Sequence, residues 1–238
     1  MPNQRDRLKH LTPLGLTSAP VAVAFLATPP AGLPRVQSPA PAGCGYWKQA
    51  SEGQAFYTTA EDHQNCPVGA HTHNVPMSPE KAQELQSLVG TMVELKYLKM
   101  EEVPAIPTRS TPMQIAAYAP LASATFAPDV VIFRGNARQI MLLSEAARAV
   151  GAFEAGSVMG RPACAAIPQA INSLGGVASV GCIGNRVYTD LGDEELYIAV
   201  PGKSIGDLLE QLAVTTNANI ELEKFHRARA AQLKNVVM

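Results

Sequence analysis

Asp129-Val130-Val131-Ile132-Phe133-Arg134-Gly135-Asn136-Ala137 is the stretch on which the fold turns. A short apolar run rich in β-branched residues reads as a strand, and Gly135-Asn136 ends it. The residues from Ala137 to Val150 then read as a helix. Working outward, Pro20 to Leu26, Ala55 to Thr58, Ile115 to Leu121, Val177 to Val180 and Leu196 to Val200 read as further strands. Helices are expected up to about His10, from Gly45 to Glu52, from Ser78 to about Tyr97, from the Arg161-Pro162 start to about Ser173, and from Lys203 to Leu212. The second of the long ones carries its own start signal, with Ser78 as cap, Pro79 at the first helical position and Glu80 after it. Residues 28–43, with Pro29, Pro30, Pro34, Pro39 and Pro41, form an extended loop, and residues 60–76 show no periodicity. No repeat or long linker interrupts the chain. The expectation is one α/β or α+β domain over residues 1–238, with a mixed sheet, flanking helices and a C-terminal helix at about 220–234.

Of the 238 residues 47% are hydrophobic and 16% charged, which excludes a disordered chain. So few charges imply that part of the surface is covered, most simply by a second copy, so a homo-oligomer, a dimer, is expected. Nineteen Lys and Arg against twenty Asp and Glu give a net charge of −1, without the basic balance of a nucleic-acid binder. The start, through Lys9, is polar and unlike a signal peptide, and the apolar run Ala19 to Ala27 is too short to span a bilayer. No membrane partner is expected, and the location is expected to be cytoplasmic. Four cysteines in such a chain are working thiols or inert core residues rather than a disulfide scaffold.

The familiar catalytic signatures are missing: no P-loop, no dinucleotide fingerprint and no nucleophile elbow. No catalytic residue is assigned. What stands out is where the cysteines lie. Cys44 sits between Gly43 and Gly45, Cys66 precedes Pro67, Cys164 opens a helix, and Cys182 follows Gly181 and precedes Gly184. Thiolates that hold a metal cluster need small neighbours, because backbone N–H groups must approach the sulfurs. Arg161 and Arg186 lie close in sequence to Cys164 and Cys182 and would offset the negative charge of such a cluster. His63 and His73 flank Cys66 in the polar loop and are further candidate ligands; His71 and His73 are two apart and diverge. Yet no Cys-x-x-Cys pair exists, and the spacings fit no zinc or ferredoxin pattern. On the residues alone, a bound metal and plain thiols are equally supported.

Several of these segments together resemble a known family. They are Pro20-Val21-Ala22-Val23, Glu61-Asp62-His63-Gln64-Asn65-Cys66-Pro67-Val68-Gly69-Ala70, Asp129-Val130-Val131-Ile132 with Gly135-Asn136, Cys182-Ile183-Gly184-Asn185-Arg186, and Asp193-Glu194-Glu195-Leu196 with Pro201. Their order over nearly the whole chain resembles domain-of-unknown-function family 169, a family of uncharacterised prokaryotic proteins. The resemblance implies that all four cysteines stand at family positions, although the Gly-Cys-Gly-Tyr-Trp surroundings of Cys44 vary among members. It implies no reaction. It does favour one site assembled by the fold: an iron–sulfur cluster, [4Fe–4S], on Cys44, Cys66, Cys164 and Cys182, with His63 or His73 beside it and a redox partner protein. Zinc on two or three cysteines with His63 or His73 is the first alternative. The second is a metal-free anion or cofactor site built by Arg161, Arg186, Gly184 and Asn185, and the third is a thiol redox enzyme with at least two sulfurs within disulfide range.

Overall fold

The computed structural model describes residues 6–236. Its strands are β1 (Val21–Leu26), β2 (Phe56–Thr59), β3 (Ile115–Pro120), β4 (Val130–Asn136), β5 (Phe153–Met159), β6 (Gly176–Ser179) and β7 (Glu195–Pro201). Its α-helices are α1 (Gly43–Ser51), α2 (Pro67–Thr72), α3 (Pro79–Glu94), α4 (Ala137–Ala149), α5 (Ala166–Ser173), α6 (Ile183–Thr189) and α7 (Ile205–Val236). The strands form one open sheet in the order β2-β3-β1-β4-β7-β6-β5. All neighbours run antiparallel except β5 and β6, which are parallel. This is a mixed α+β architecture.

Period-two alternation along the strands divides the core into two halves. In β4, Val130 and Ile132 face one side, while Val131 and Phe133 face the other. The Phe133 side meets Leu142, Leu143 and Ala146 of α4 and Leu208, Leu209 and Leu212 of α7. The Ile132 side meets Tyr46 and Trp47 of α1 and Ile167 and Ala170 of α5, and it also holds Cys44 and Cys164. Asn136 joins β4 to α4 directly: its side chain accepts from the Gln139 N–H while Gln139 accepts from the Asn136 N–H, a reciprocal cap.

Three sequence expectations are corrected. Residues 60–76 are not a plain loop but hold a 3₁₀ turn, Ala60–His63, and α2. Both are fixed by caps rather than by periodicity: Asp62 accepts from the Thr59 N–H at 2.8 Å, and Cys66 caps α2 with Pro67 at its first position. The two C-terminal helices are one continuous α7. Thr215 and Thr216 are buried instead of breaking it, and Asn219 donates to Glu145 of α4 at 2.8 Å. Strand β5 and helix α6 were not anticipated at all. Residues 1–5, and the side chain of Lys234 in the expected terminal helix, lie outside what is described.

Candidate functional site

Four separate segments carry the cysteines to one place. The proline-rich loop is tied to β2 by hydrogen bonds from Val36 N–H to Tyr57 O and from Tyr57 N–H to Pro34 O, at 2.8 and 2.9 Å. It thereby delivers Cys44 as the second residue of α1. Gly45 is required there, because a Cβ would stand 2.9 Å from the Ala40 methyl. Cys66 and Cys182 share one geometry. Each is the N-cap of a short helix, and each sulfur accepts the N–H three residues on: Gly69 at 3.4 Å and Asn185 at 3.5 Å. Gly181, at φ 74°, makes the turn that places Cys182. Cys164 lies in a 3₁₀ turn before α5, and its sulfur accepts from the Thr72 hydroxyl at 3.3 Å.

All four sulfur-bearing residues line a single cavity of about 310 Å³. All four are free thiols. Leu85, Leu88, Val89 and Met92 of α3 close its far side, although no residue of α3 is buried, so the helix lies over the cavity as a cover. The cavity continues past Cys182, Arg161 and Tyr97 into a wider basin of about 690 Å³ open to solvent. Burial sets the acidity of the thiols: it pushes Cys44 up to about 12, raises Cys66 and raises Cys164 well above the usual range. Neighbouring amides and the Thr72 hydroxyl work in the opposite direction but do not win. Asn185 reaches the cavity beside Cys44 and favours that thiolate, yet its amide is buried and neither of its polar atoms has a well-formed hydrogen bond. Such an orphaned buried amide costs roughly 1–3 kcal/mol.

The histidines sit elsewhere. His63 and His73 are fully buried behind Gly43, where a Cβ would meet His63 Nδ1 at 3.2 Å and His73 Cε1 at 3.8 Å. They do not line the cavity with the cysteines. His63 Nε2 bonds the Thr58 hydroxyl at 2.9 Å, and its ring packs 5.0 Å from Tyr46 and 6.0 Å from His73. Burial pulls His63 down to about 4 and His73 to about 3, so both are neutral. Among the described residues, His63 Nδ1, both nitrogens of His73 and the Tyr118 hydroxyl have no partner. A polar layer thus lies one residue behind the thiols.

The arginines also divide. Arg186, expected to hold an anion, lines the outer basin and donates to the backbone, to Val180 O at 2.7 Å and Gly192 O at 3.0 Å. Arg161 stays at the mouth, stacked 4.6 Å from the Tyr97 ring and 3.6 Å from Glu102. Gly184 and Asn185 line the inner cavity. Sequence reasoning missed Thr72, which no pattern announces, and the cover formed by α3, whose Leu85, Leu88, Val89 and Met92 recur at helical spacing without showing what they face.

Fold and site together define an α+β protein with a thiol-lined cavity under a helical cover. Residues 12–211 match the family model described as uncharacterised ArCR, domain-of-unknown-function family 169, and the chain belongs to that family. It is also similar to an uncharacterized protein of Methanocaldococcus jannaschii, 27% identical over 167 residues, 68% of this chain and 71% of the relative. No solved structure matches. Among the described residues no helix is long and apolar enough to cross a membrane.

Proposed function

We propose that the protein binds one iron–sulfur cluster, [4Fe–4S], through Cys44, Cys66, Cys164 and Cys182, and uses it in a redox or substrate-binding role. The observation that carries this reading is that four free thiols from four distant segments line one cavity. A single tetrahedral ion requires its sulfurs about 2.3 Å from one point. Among the described residues no group of three or more His, Cys, Asp or Glu side chains is placed to hold a metal ion, so either centre requires the thiols to draw together on loading. A cluster spreads its ligands over several irons and suits thiols held further apart. Because burial favours the protonated form of Cys44, Cys66 and Cys164, these thiols need metal cations to displace the protons. The N–H groups of Gly69 and Asn185 already aimed at Cys66 and Cys182 would then serve thiolates, which accept more strongly than thiols. When bound, such a group supplies one-electron chemistry.

The test is anaerobic purification and reconstitution, with iron and acid-labile sulfide measured per chain. About four of each, with a broad absorbance in the visible, supports the reading. One zinc per chain and no sulfide would sink it. The same reading includes cytoplasmic location and a homo-oligomer. The latter is favoured by Ile183 and Val187, 69% and 65% exposed on α6, and light scattering reads it directly.

A further inference from the structure

The cavity offers more apolar wall than four thiols require. Opposite the cysteines stand Leu85, Leu88, Val89 and Met92 of α3, with Val103 and Ile106 from the segment after it. The space runs on past Arg161 into the outer basin, and Arg161 borders both compartments together with Tyr97 and Cys182. Of the two arginines there, Arg186 already serves two carbonyl groups, whereas Arg161 makes only a stacking contact and a loose 3.6 Å ion pair with Glu102. The guanidinium rests on a ring at the neck of an apolar space, its side chain 45% exposed. That is the arrangement an amphipathic ligand meets, with one fixed charge at the entrance and a greasy interior beyond it.

We propose that this space binds an organic monoanion with an apolar body, a carboxylate held by Arg161 with its hydrocarbon part between α3 and the cysteines. Among the described residues at this neck, Arg161 is the cation not bonded to backbone carbonyls, and one such cation calls for one negative charge. Glu102 competes with the ligand for Arg161, so binding displaces it and α3 settles on the hydrocarbon. The inference deepens the cluster reading, on which it rests only for what forms the inner wall.

The experiment is calorimetric titration of iron-loaded and iron-free full-length protein with octanoate, 1-octanol and acetate. Octanoate is expected to bind about tenfold more tightly than 1-octanol, the effect of one charge-assisted hydrogen-bonded pair, and more tightly still than acetate, which keeps the charge but lacks the hydrocarbon. Arg161→Gln should reduce octanoate to the affinity of octanol, while Glu102→Gln should tighten it. Leu88→Gln should weaken octanoate and octanol alike. Equal affinity for octanoate and octanol, or octanoate binding indifferent to Arg161→Gln, overturns the proposal. Arg161-dependent binding by a protein that never takes up iron would support this site while removing the cluster. Iron uptake without Arg161-dependent binding would do the reverse.

Discussion

The two faces of the sheet are built from different material. On the Phe133 side, Ile140, Leu143, Ile198, Leu208, Leu209 and Leu212 fill the space between β4, β7 and two helices. On the Ile132 side the core mixes aromatic rings with two thiols, and beside it lie two histidines and an asparagine. Several of the polar atoms there, on His63, His73, Tyr118 and Asn185, have no partner. The first face uses burial where it is cheapest to arrange, and its side chains need nothing but neighbours. The second tolerates orphaned groups that a purely structural core would replace. The contrast teaches that both faces bury a large apolar core, but the thiols and the unpartnered polar groups gather on one of them.

The largest expected effect tests that division directly. Phe133→Ala should cost about 3–5 kcal/mol in urea unfolding, while iron per folded chain is unchanged. Cys164→Ser should do the opposite, abolishing cluster uptake at a cost of about 1–2 kcal/mol to the metal-free protein, since serine keeps a partner in Thr72. Loss of iron in the first variant, or gross unfolding in the second, would break the contrast.

Acid should act through the polar face. His63 is held near 4 by burial, against 6.5 when free, with Asp62 opposing the shift. Between those values the unfolded chain takes up a proton that the folded chain refuses, so stability is complete above pH 6.5 and falls as pH drops towards 4. The loss from this group is on the order of a few kcal/mol. His63→Gln, which keeps an amide for Thr58, should flatten the stability profile in that window. An unchanged profile would mean that the layer is hydrated and the histidine free to protonate.

How much of this was legible follows from what kind of force fixes each element. Strands β1, β3, β4 and β7 and helix α4 carry long apolar runs or a full helical period, and the sequence shows them within a few residues. Helices α2 and α6 are six and seven residues long and owe their position to a cysteine sulfur acting as cap, so periodicity could not announce them. The cysteines were visible as thiols with small neighbours. Their common cavity was not, because it depends on where β2 and β6 end. The misplacement of His63 and His73 has the same origin: the close approach at Gly43, read only as room for a cluster, is room for two imidazole rings. For Arg186, proximity to Cys182 in sequence said nothing of the carbonyls of Val180 and Gly192, which the turn brings within reach.

Asn185 sharpens the comparison at a smaller scale. Its amide is desolvated without good partners among the described residues. Asn185→Leu should therefore raise metal-free stability by about 1–2 kcal/mol and lower the iron and sulfide retained per chain. Lower stability together with full loading would show that the amide is satisfied internally and does not face the ligand.

The smallest effect concerns Arg186, and it separates a charge from a strut. If the guanidinium stabilised a bound anion, Arg186→Lys would preserve most of the function, because the charge remains. The geometry says otherwise: two nitrogens of one planar fork donate to two different carbonyls, Val180 O before Cys182 and Gly192 O after α6. One ammonium cannot span both. With the side chain about a quarter exposed, water would replace part of what is lost. Arg186→Lys and Arg186→Ala should therefore behave alike, each costing about 1 kcal/mol of stability. Each should also loosen the turn that presents Cys182, seen as faster amide hydrogen exchange over residues 180–193. Rescue by lysine, or exchange rates left unchanged in both variants, would return the residue to the role of a counter-charge.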